Sequence, residues 1–324
     1  MRNSAALLAV AAILAASIPT AHAAAAACGR AHPTGVVAIS DAAQLRTALA
    51  QAQPGQVLVL SDGRYTGNFD ARVNATQISP ITLCGTASAI LEGGSAGYVL
   101  HLDQADWWTV KGISVSGGQK GIVLDASSHV TLRNVRVSGT QQEAVHLRKG
   151  SSRNVLDHLV VERTGLGQPI LGEGIYVGSA KSNWCRYSGC LPDRSDFNTV
   201  SNCVFGASIS SENVDIKEGT TGGLLVGNSF NGAGTTAVDS WVDVKGNGWI
   251  VRNNIGAAAP RDGFQVHVAV PGWGNGNAFR ANTLRVQSTG YGIWVQPGAS
   301  GTVVACSNRA LQAGSGRSNV RCTR

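Results

Sequence analysis

The sequence predicts an all-β chain wound as a parallel solenoid. Three observations carry this: glycine is abundant, charged residues are scarce, and short strand-like segments recur at a near-constant interval. Of 324 residues, 41 are Gly and only 14% are charged, so the Gly share is nearly double and the charged share well below the usual quarter. A coiled coil or long-helix bundle needs far more Glu, Lys and Arg, and a disordered acidic chain would not carry 43% hydrophobic residues. The glycines keep no three-residue period, which excludes collagen.

The N-terminus reads as a secretory signal peptide over residues 1–23. Arg2 supplies the positive start, residues 7–18 the apolar stretch, and Ala21-His22-Ala23 the small-residue cleavage site. No later run approaches the roughly 20 apolar residues of a spanning helix. The remainder, residues 24–324, is expected to be one secreted, soluble, monomeric domain. All seven cysteines fall in that part, as an oxidising compartment allows. Cys185 and Cys190 flank a short turn and are expected to close it. Cys306 with Cys322, and Cys28 with Cys84, are candidates to tie the two ends. Cys203 is left as a buried thiol. The chain holds no CxxC pair, so zinc is the weaker reading.

An amphipathic helix is expected over residues 41–52, with Asp41 as N-cap. Pro54-Gly55 ends it and a strand follows. Such a helix would cover the open end of a stack of strands, within an N-terminal cap over residues 40–67.

The repeat begins with the segments 121–125, 144–148, 174–178, 213–217, 241–245, 263–267 and 292–296. Each alternates apolar and variable residues, the period of a strand with one buried face. A second series ends at Asn134, Asn202, Asn228, Asn253, Asn282 and Asn308, with His158 in the Asn place of one coil. A period of about 25 residues with Asn or Gly at the corners describes one coil of a β-solenoid. Corners take Asn and Gly because both tolerate left-handed backbone. One longer gap holds an insertion at residues 179–196, with Trp184, Arg186 and Tyr187.

The run SDAAQLRTALAQAQPGQVLVLSDGRYTG (residues 40–67), followed by ITLCGTASAILEGG, resembles the opening of secreted right-handed parallel β-helix proteins. Within that pectate-lyase-like group the similarity is greatest to polysaccharide lyases of the chondroitinase B and alginate lyase type. The resemblance runs over most of the chain as architecture, and implies a right-handed helix and a lyase acting on an acidic polysaccharide. The same fold also carries hydrolases, C5-epimerases and non-catalytic binding proteins.

Strand alternation points one column of side chains outward: His146, Tyr176, Asp215, Asp243, Gln265 and Trp294. Its neighbour reads Arg148, Gly178, Lys217, Lys245, His267 and Gln296. Glu212 flanks the first of the acidic strands. One reading is a ladder of surface ion pairs, each worth about 0–1 kcal/mol. The other is a uronide lyase site, which must neutralise a carboxylate, take the C5 proton and protonate the leaving oxygen. In that site Lys217 and Lys245 would depress each other's proton affinity, with His267 and Arg148 assisting. Glu212, Asp215 and Asp243 offer hard oxygen donors to Ca²⁺. The resemblance implies a Lys base, which Lys217 matches by position, beside an acidic group at Glu212 or Asp215. Where it implies an Arg one coil later, this chain carries Lys245. His146 and Gln265 would contact substrate, and Tyr176, Trp241 and Trp294 would stack sugar rings.

The formal charge of +7 suits an anionic polysaccharide, and no nucleic-acid-reading motif accompanies it. A polygalacturonase-type hydrolase would need paired carboxylates, for which Asp215 and Asp243 are the candidates, but the DD and GHG signatures are absent. A C5-epimerase would share the lyase's proton chemistry. A binding β-helix without turnover is the rival of a different class.

Overall fold

The computed structural model describes residues 28–29 and 33–324; the expected signal peptide lies outside them. The chain winds into a parallel β-helix. Each coil gives one strand to each of three sheets of eleven, ten and ten strands. Every strand pairs in parallel with its counterpart one coil away, as Val214↔Val242 and Val242↔Phe264 do. Short runs suffice because each strand between the ends of the stack is paired on both sides by its neighbours.

The apolar residues of the repeat face the bore. Ile122, Val145, Ile175, Val214, Val242, Phe264 and Ile293 are all 0% exposed. Aromatic rings continue the packing from coil to coil, with Phe205 and Phe230 stacked at 5.2 Å and Phe264 and Phe279 at 6.0 Å. The helix Ala42–Ala50 closes the N-terminal end. Asp41 caps it, accepting from the Gln44 N–H at 2.8 Å, and Leu45 and Leu49 join the core.

The corner asparagines occupy two adjacent columns where the repeat suggested one. Asn134, His158, Asn202 and Asn253 sit at left-handed φ of 53–56°, where Asn is tolerated. Asn228, Asn254, Asn282 and Asn308 form the next column and are buried. Their amides bond from coil to coil: Asn228 Nδ2 donates to Asn254 Oδ1 at 3.0 Å, Asn254 to Asn282 at 3.0 Å, and Asn282 to Asn308 at 2.8 Å. The same oxygens accept backbone N–H groups, so the ladder satisfies polar groups that a tight interior corner would strand.

Disulfides join Cys28 to Cys84, Cys185 to Cys190 and Cys306 to Cys322. Cys203 is free and buried. Among the described residues, no helix is long and apolar enough to cross a membrane.

Candidate active site

The ten-stranded sheet that contains the strands Val145–Arg148, Ile175–Val177, Val214–Ile216 and Ser240–Val244 carries the polar face. Register confirms the first outward column, since His146 pairs with Tyr176, Tyr176 with Asp215, Asp215 with Asp243, Asp243 with Gln265 and Gln265 with Trp294. Backbone bonds extend the second column through Gly178, Lys217, Lys245, His267 and Gln296. A third column lies on the other side of the first: Lys120, Glu143, Glu173, Glu212, Ser240 and Asp262. Of these, only Glu212 was singled out from the sequence. The signal was a Glu two residues before the first inward residue of three successive coils.

Two lysines knit the first two columns together. Lys217 Nζ lies 2.5 Å from Asp215 Oδ2, and Lys245 Nζ lies 2.8 Å from both Asp215 Oδ1 and Asp243 Oδ2. His267 Nε2 is 3.3 Å from Asp243, whose carboxylate also accepts from Ser240 Oγ at 2.8 Å. The expected mutual depression of the lysines is overturned at Lys245. Burial alone would lower its proton affinity, but Asp215, Asp243 and Glu212 outweigh burial and raise it well above the usual lysine value. The paired carboxylates thus favour the cationic form of Lys245. Burial also opposes ionisation of Asp243, yet Lys245 and His267 hold its carboxyl far below the usual range.

Glu173, Glu212 and Asp215 bring carboxylate oxygens within 4.8 Å of one another, and all three residues are buried. Burial, then Asp215 and Asp243, push the Glu212 carboxyl up to about 7. Burial, Glu143 and Asp215 raise Glu173 well above its ordinary value, and Glu173 Oε2 has no hydrogen-bond partner among the described residues. Stacked like charges with an orphaned oxygen are costly unless a cation joins them. The all-oxygen donor set fits a hard divalent ion. This cluster shares Glu212 and Asp215 with the expected set of Glu212, Asp215 and Asp243, and holds Glu173 where Asp243 was expected. Asp215 and Asp243 both also pair with Lys245.

Tyr176 lies beside this cluster, 8% exposed. Its ring sits 4.5 Å from that of His146 and 4.8 Å from Lys217 Nζ. Burial, then Asp215 and Glu173, push its phenol well above the usual value. His146 supports it from below: Nε2 donates to the Gly178 carbonyl at 3.0 Å and Nδ1 faces Glu143 at 3.3 Å. Glu143 is in turn paired with Lys120. Gln265, 3% exposed, is held in the floor by bonds to Asp239 and Asp262. Trp294 is half-buried, 5.5 Å from His267.

Trp241 does not face the groove. It is 0% exposed and packs in the bore against Phe230 and Phe264. Strict alternation fails because Trp241 sits at the corner that opens its strand. There Gly256 and Gly263 leave room for the indole; a Cβ on them would lie 2.5 and 3.0 Å from its ring.

Arg148 stands two coils from Lys217, with Gly178 between them in the column. Its Nε and one terminal nitrogen bond Asp125 at 2.6 and 3.1 Å, and that nitrogen also donates to the Tyr98 hydroxyl at 2.9 Å. The guanidinium lies 5.3 Å from the Tyr98 ring and 4.3 Å from that of Tyr187. Tyr187 arrives from the insertion. Asp193 anchors that loop by accepting from the Lys149 and Gly150 N–H groups and from the Ser179 and Ser195 hydroxyls. Trp184 Nε1 adds a bond to the Ser179 carbonyl.

No family model and no curated protein sequence matches the chain. Solved structures do. The alginate lyase of Paenibacillus sp. str. FPU-7 is 35% identical, with a TM-score of 0.83 over 88% of this chain and 98% of that one. Pectate lyase Pel9A matches at TM-score 0.65 and 13% identity, over 86% of this chain and 80% of that one. A mannuronic-acid-specific polysaccharide family 6 lyase from human gut microbiota matches at 0.65 and 16%, over 88% and 66%. The last two share the fold.

Proposed function

Because the chain belongs to the parallel β-helix polysaccharide lyases, the family of the Paenibacillus alginate lyase, we propose that it cleaves alginate by β-elimination at the Tyr176–Lys217 pair. The observation that carries this is the ammonium of Lys217 over the Tyr176 ring, beside a buried acidic cluster. Two proton-transfer groups thus share one wall of a groove. Their surroundings are those expected where a uronate carboxylate must be held and neutralised.

The chemistry follows from the charges. The C5 proton of a uronate is acidic because its carboxylate can accept the electron pair, provided the carboxylate charge is offset. Removing that proton forms the C4–C5 double bond as the C4–O4 bond breaks, and O4 takes a proton as it leaves. In this reading Lys217, paired with Asp215 at 2.5 Å, donates the proton to O4. This reverses the base role that its position suggested. Tyr176 takes the C5 proton; Lys245 favours the phenolate against burial, Asp215 and Glu173, and His146 packs against the ring. Glu173, Glu212 and Asp215 would hold a divalent cation, which when bound would offset the substrate carboxylate and the negative charge that keeps Tyr176 protonated. A hydrolase is disfavoured, because Asp215 and Asp243 are both tied to Lys245. Three disulfides support an exported protein.

Incubation with alginate, pectate, glucuronan and dermatan sulfate, with and without divalent cations, tests the reading. Alginate is expected to yield products that absorb in the ultraviolet as conjugated unsaturated uronates. New reducing ends without that absorbance would mean hydrolysis, and unsaturated products from another uronide alone would displace alginate.

A further inference from the structure

The insertion does more than wall the groove. Together with the strand Val145–Arg148 and with Tyr98, it encloses a cavity of about 270 Å³ that opens onto Tyr176. Arg148, Arg186, Tyr98 and Tyr187 line it. Lys149 adjoins it, with Nζ 2.9 Å from Asp125. Cations outnumber acids here. Arg148 and Lys149 share the single carboxylate of Asp125, while Arg186 makes no ion pair among the described residues and lies 5.1 Å from the Tyr187 ring. Lys120 brings no surplus, since Glu143 takes it up. Arg148 is itself 3% exposed and pre-oriented by Asp125 and two aromatic rings, the setting in which a guanidinium binds a carboxylate with little ordering cost.

The axial offset suits a polymer. Neighbouring coils repeat at about 4.8 Å, so Arg148 stands roughly 10 Å from the coil of Lys217. Between them in the column lies Gly178, at φ +85°, where a Cβ would lie 2.6 Å from the Thr220 methyl. Glycine there lets Thr220 pack close against the column and puts no side chain of its own between the two cations.

Resting on the lyase reading above, we infer that this cavity is a second carboxylate subsite. It receives a uronate residue of the same chain, away from the scissile bond, pairs its carboxylate with Arg148 and Arg186, and lays the sugar against Tyr187. Arg148, which the sequence placed among catalytic groups, is a substrate-binding residue in this assignment. The enzyme then requires consecutive uronates extending past the cleavage point, and its affinity grows with oligomer length.

Arg148 is a poor test residue, because its loss would remove two bonds that hold buried Asp125 and leave only Lys149 and His101 against it among the described residues. Arg186→Ala and Tyr187→Ala alter exposed or half-buried side chains instead. Oligouronates of increasing length are assayed for KM and kcat, with Arg64→Ala, remote from the groove, as a control for general charge loss. The expected result is a roughly tenfold higher KM for both variants on long oligomers, the size of one charge-assisted contact. That difference disappears on the shortest cleavable oligomer, and kcat stays near wild type. A KM change independent of length, or equal in Arg64→Ala, overturns the subsite. If the wild type releases no unsaturated product from any uronide, the lyase reading fails separately. Calorimetric titration with a long oligouronate then decides the subsite alone: weaker binding by Arg186→Ala supports it, and unchanged binding overturns it.

Discussion

Lys217 holds its ammonium 4.8 Å from the centre of the Tyr176 ring while its Nζ sits 2.5 Å from Asp215. The two groups differ in kind. One is a cation fixed by a carboxylate, and the other a phenol kept neutral by burial and nearby acids. An elimination needs one donor and one acceptor, and in the proposed reaction this pair would supply both from adjacent coils. Tyr176→Phe keeps the ring, its contact with His146 and the fold, so KM and melting temperature should stay near wild type. Its kcat should fall by about 10²–10⁴-fold, the usual worth of a general base. Lys217→Met should lose kcat comparably. A Tyr176→Phe variant within tenfold of wild type would remove the phenol from proton transfer.

Lys245 should matter to the fold before it matters to the reaction. Among the described residues it alone bridges Asp215 and Asp243, whose carboxylates are otherwise buried. Removing one partner of a buried pair typically costs about 3–5 kcal/mol, and Lys245→Met should approach that in chemical denaturation. Lys217→Met should cost less, because Asp215 keeps Lys245. A loss below about 1 kcal/mol for Lys245→Met would show the bridge to be solvated.

Glu212 imposes a pH dependence of definite sign. Its carboxyl is raised from 4.5 to about 7 in the folded chain. Below both values the folded and unfolded states are equally protonated. Between them only the unfolded chain releases the proton, so stability falls as pH rises and the loss is complete above about 7. The full effect is on the order of 3 kcal/mol. Glu212→Gln should therefore gain in melting temperature over wild type from pH 5 to pH 8 in the presence of a chelator. Adding Ca²⁺ or Mg²⁺ at pH 8 should close the gap, because a ligand of the ionised cluster stabilises only the wild type. A gap that stays constant with pH would place the titration elsewhere.

Much of this site was legible in the repeat. Once Ile175, Val214 and Val242 are assigned inward, Tyr176, Asp215 and Asp243 must share a face, and parallel pairing stacks them in register. Reading failed at corners, where two successive residues can both turn inward. That is why Trp241 looked like a surface aromatic, and why the repeat pairs Asn253 with Asn228 and Asn282 where the ladder runs through Asn254. It also stopped one position short of Glu143 and Glu173, which lie beyond the alternating core of their strands. What the lysines do to their carboxylates depends on distances of a few ångströms between coils, which no spacing along the chain specifies. The role of Arg148 was hidden for a different reason. It depends on Tyr187, which a loop 39 positions later in the chain brings across the groove.

Trp241 and Trp294, both first read as groove aromatics, should now part company. Trp241→Ala removes a fully buried indole between Phe230 and Phe264, and a cavity of that size costs about 3–5 kcal/mol. Denaturation should register that loss. The folded fraction should still turn over alginate with near-normal KM, since the indole never meets the groove. Trp294 is half-buried at the far end of the polar face, beside His267. Trp294→Ala should change stability by less than about 1 kcal/mol, while raising KM several-fold on long substrates through the lost sugar contact. The two measurements together form a double dissociation. Equal stability losses for the two variants, or a KM effect at Trp241 without a stability loss, would contradict the inward turn at the corner of that coil.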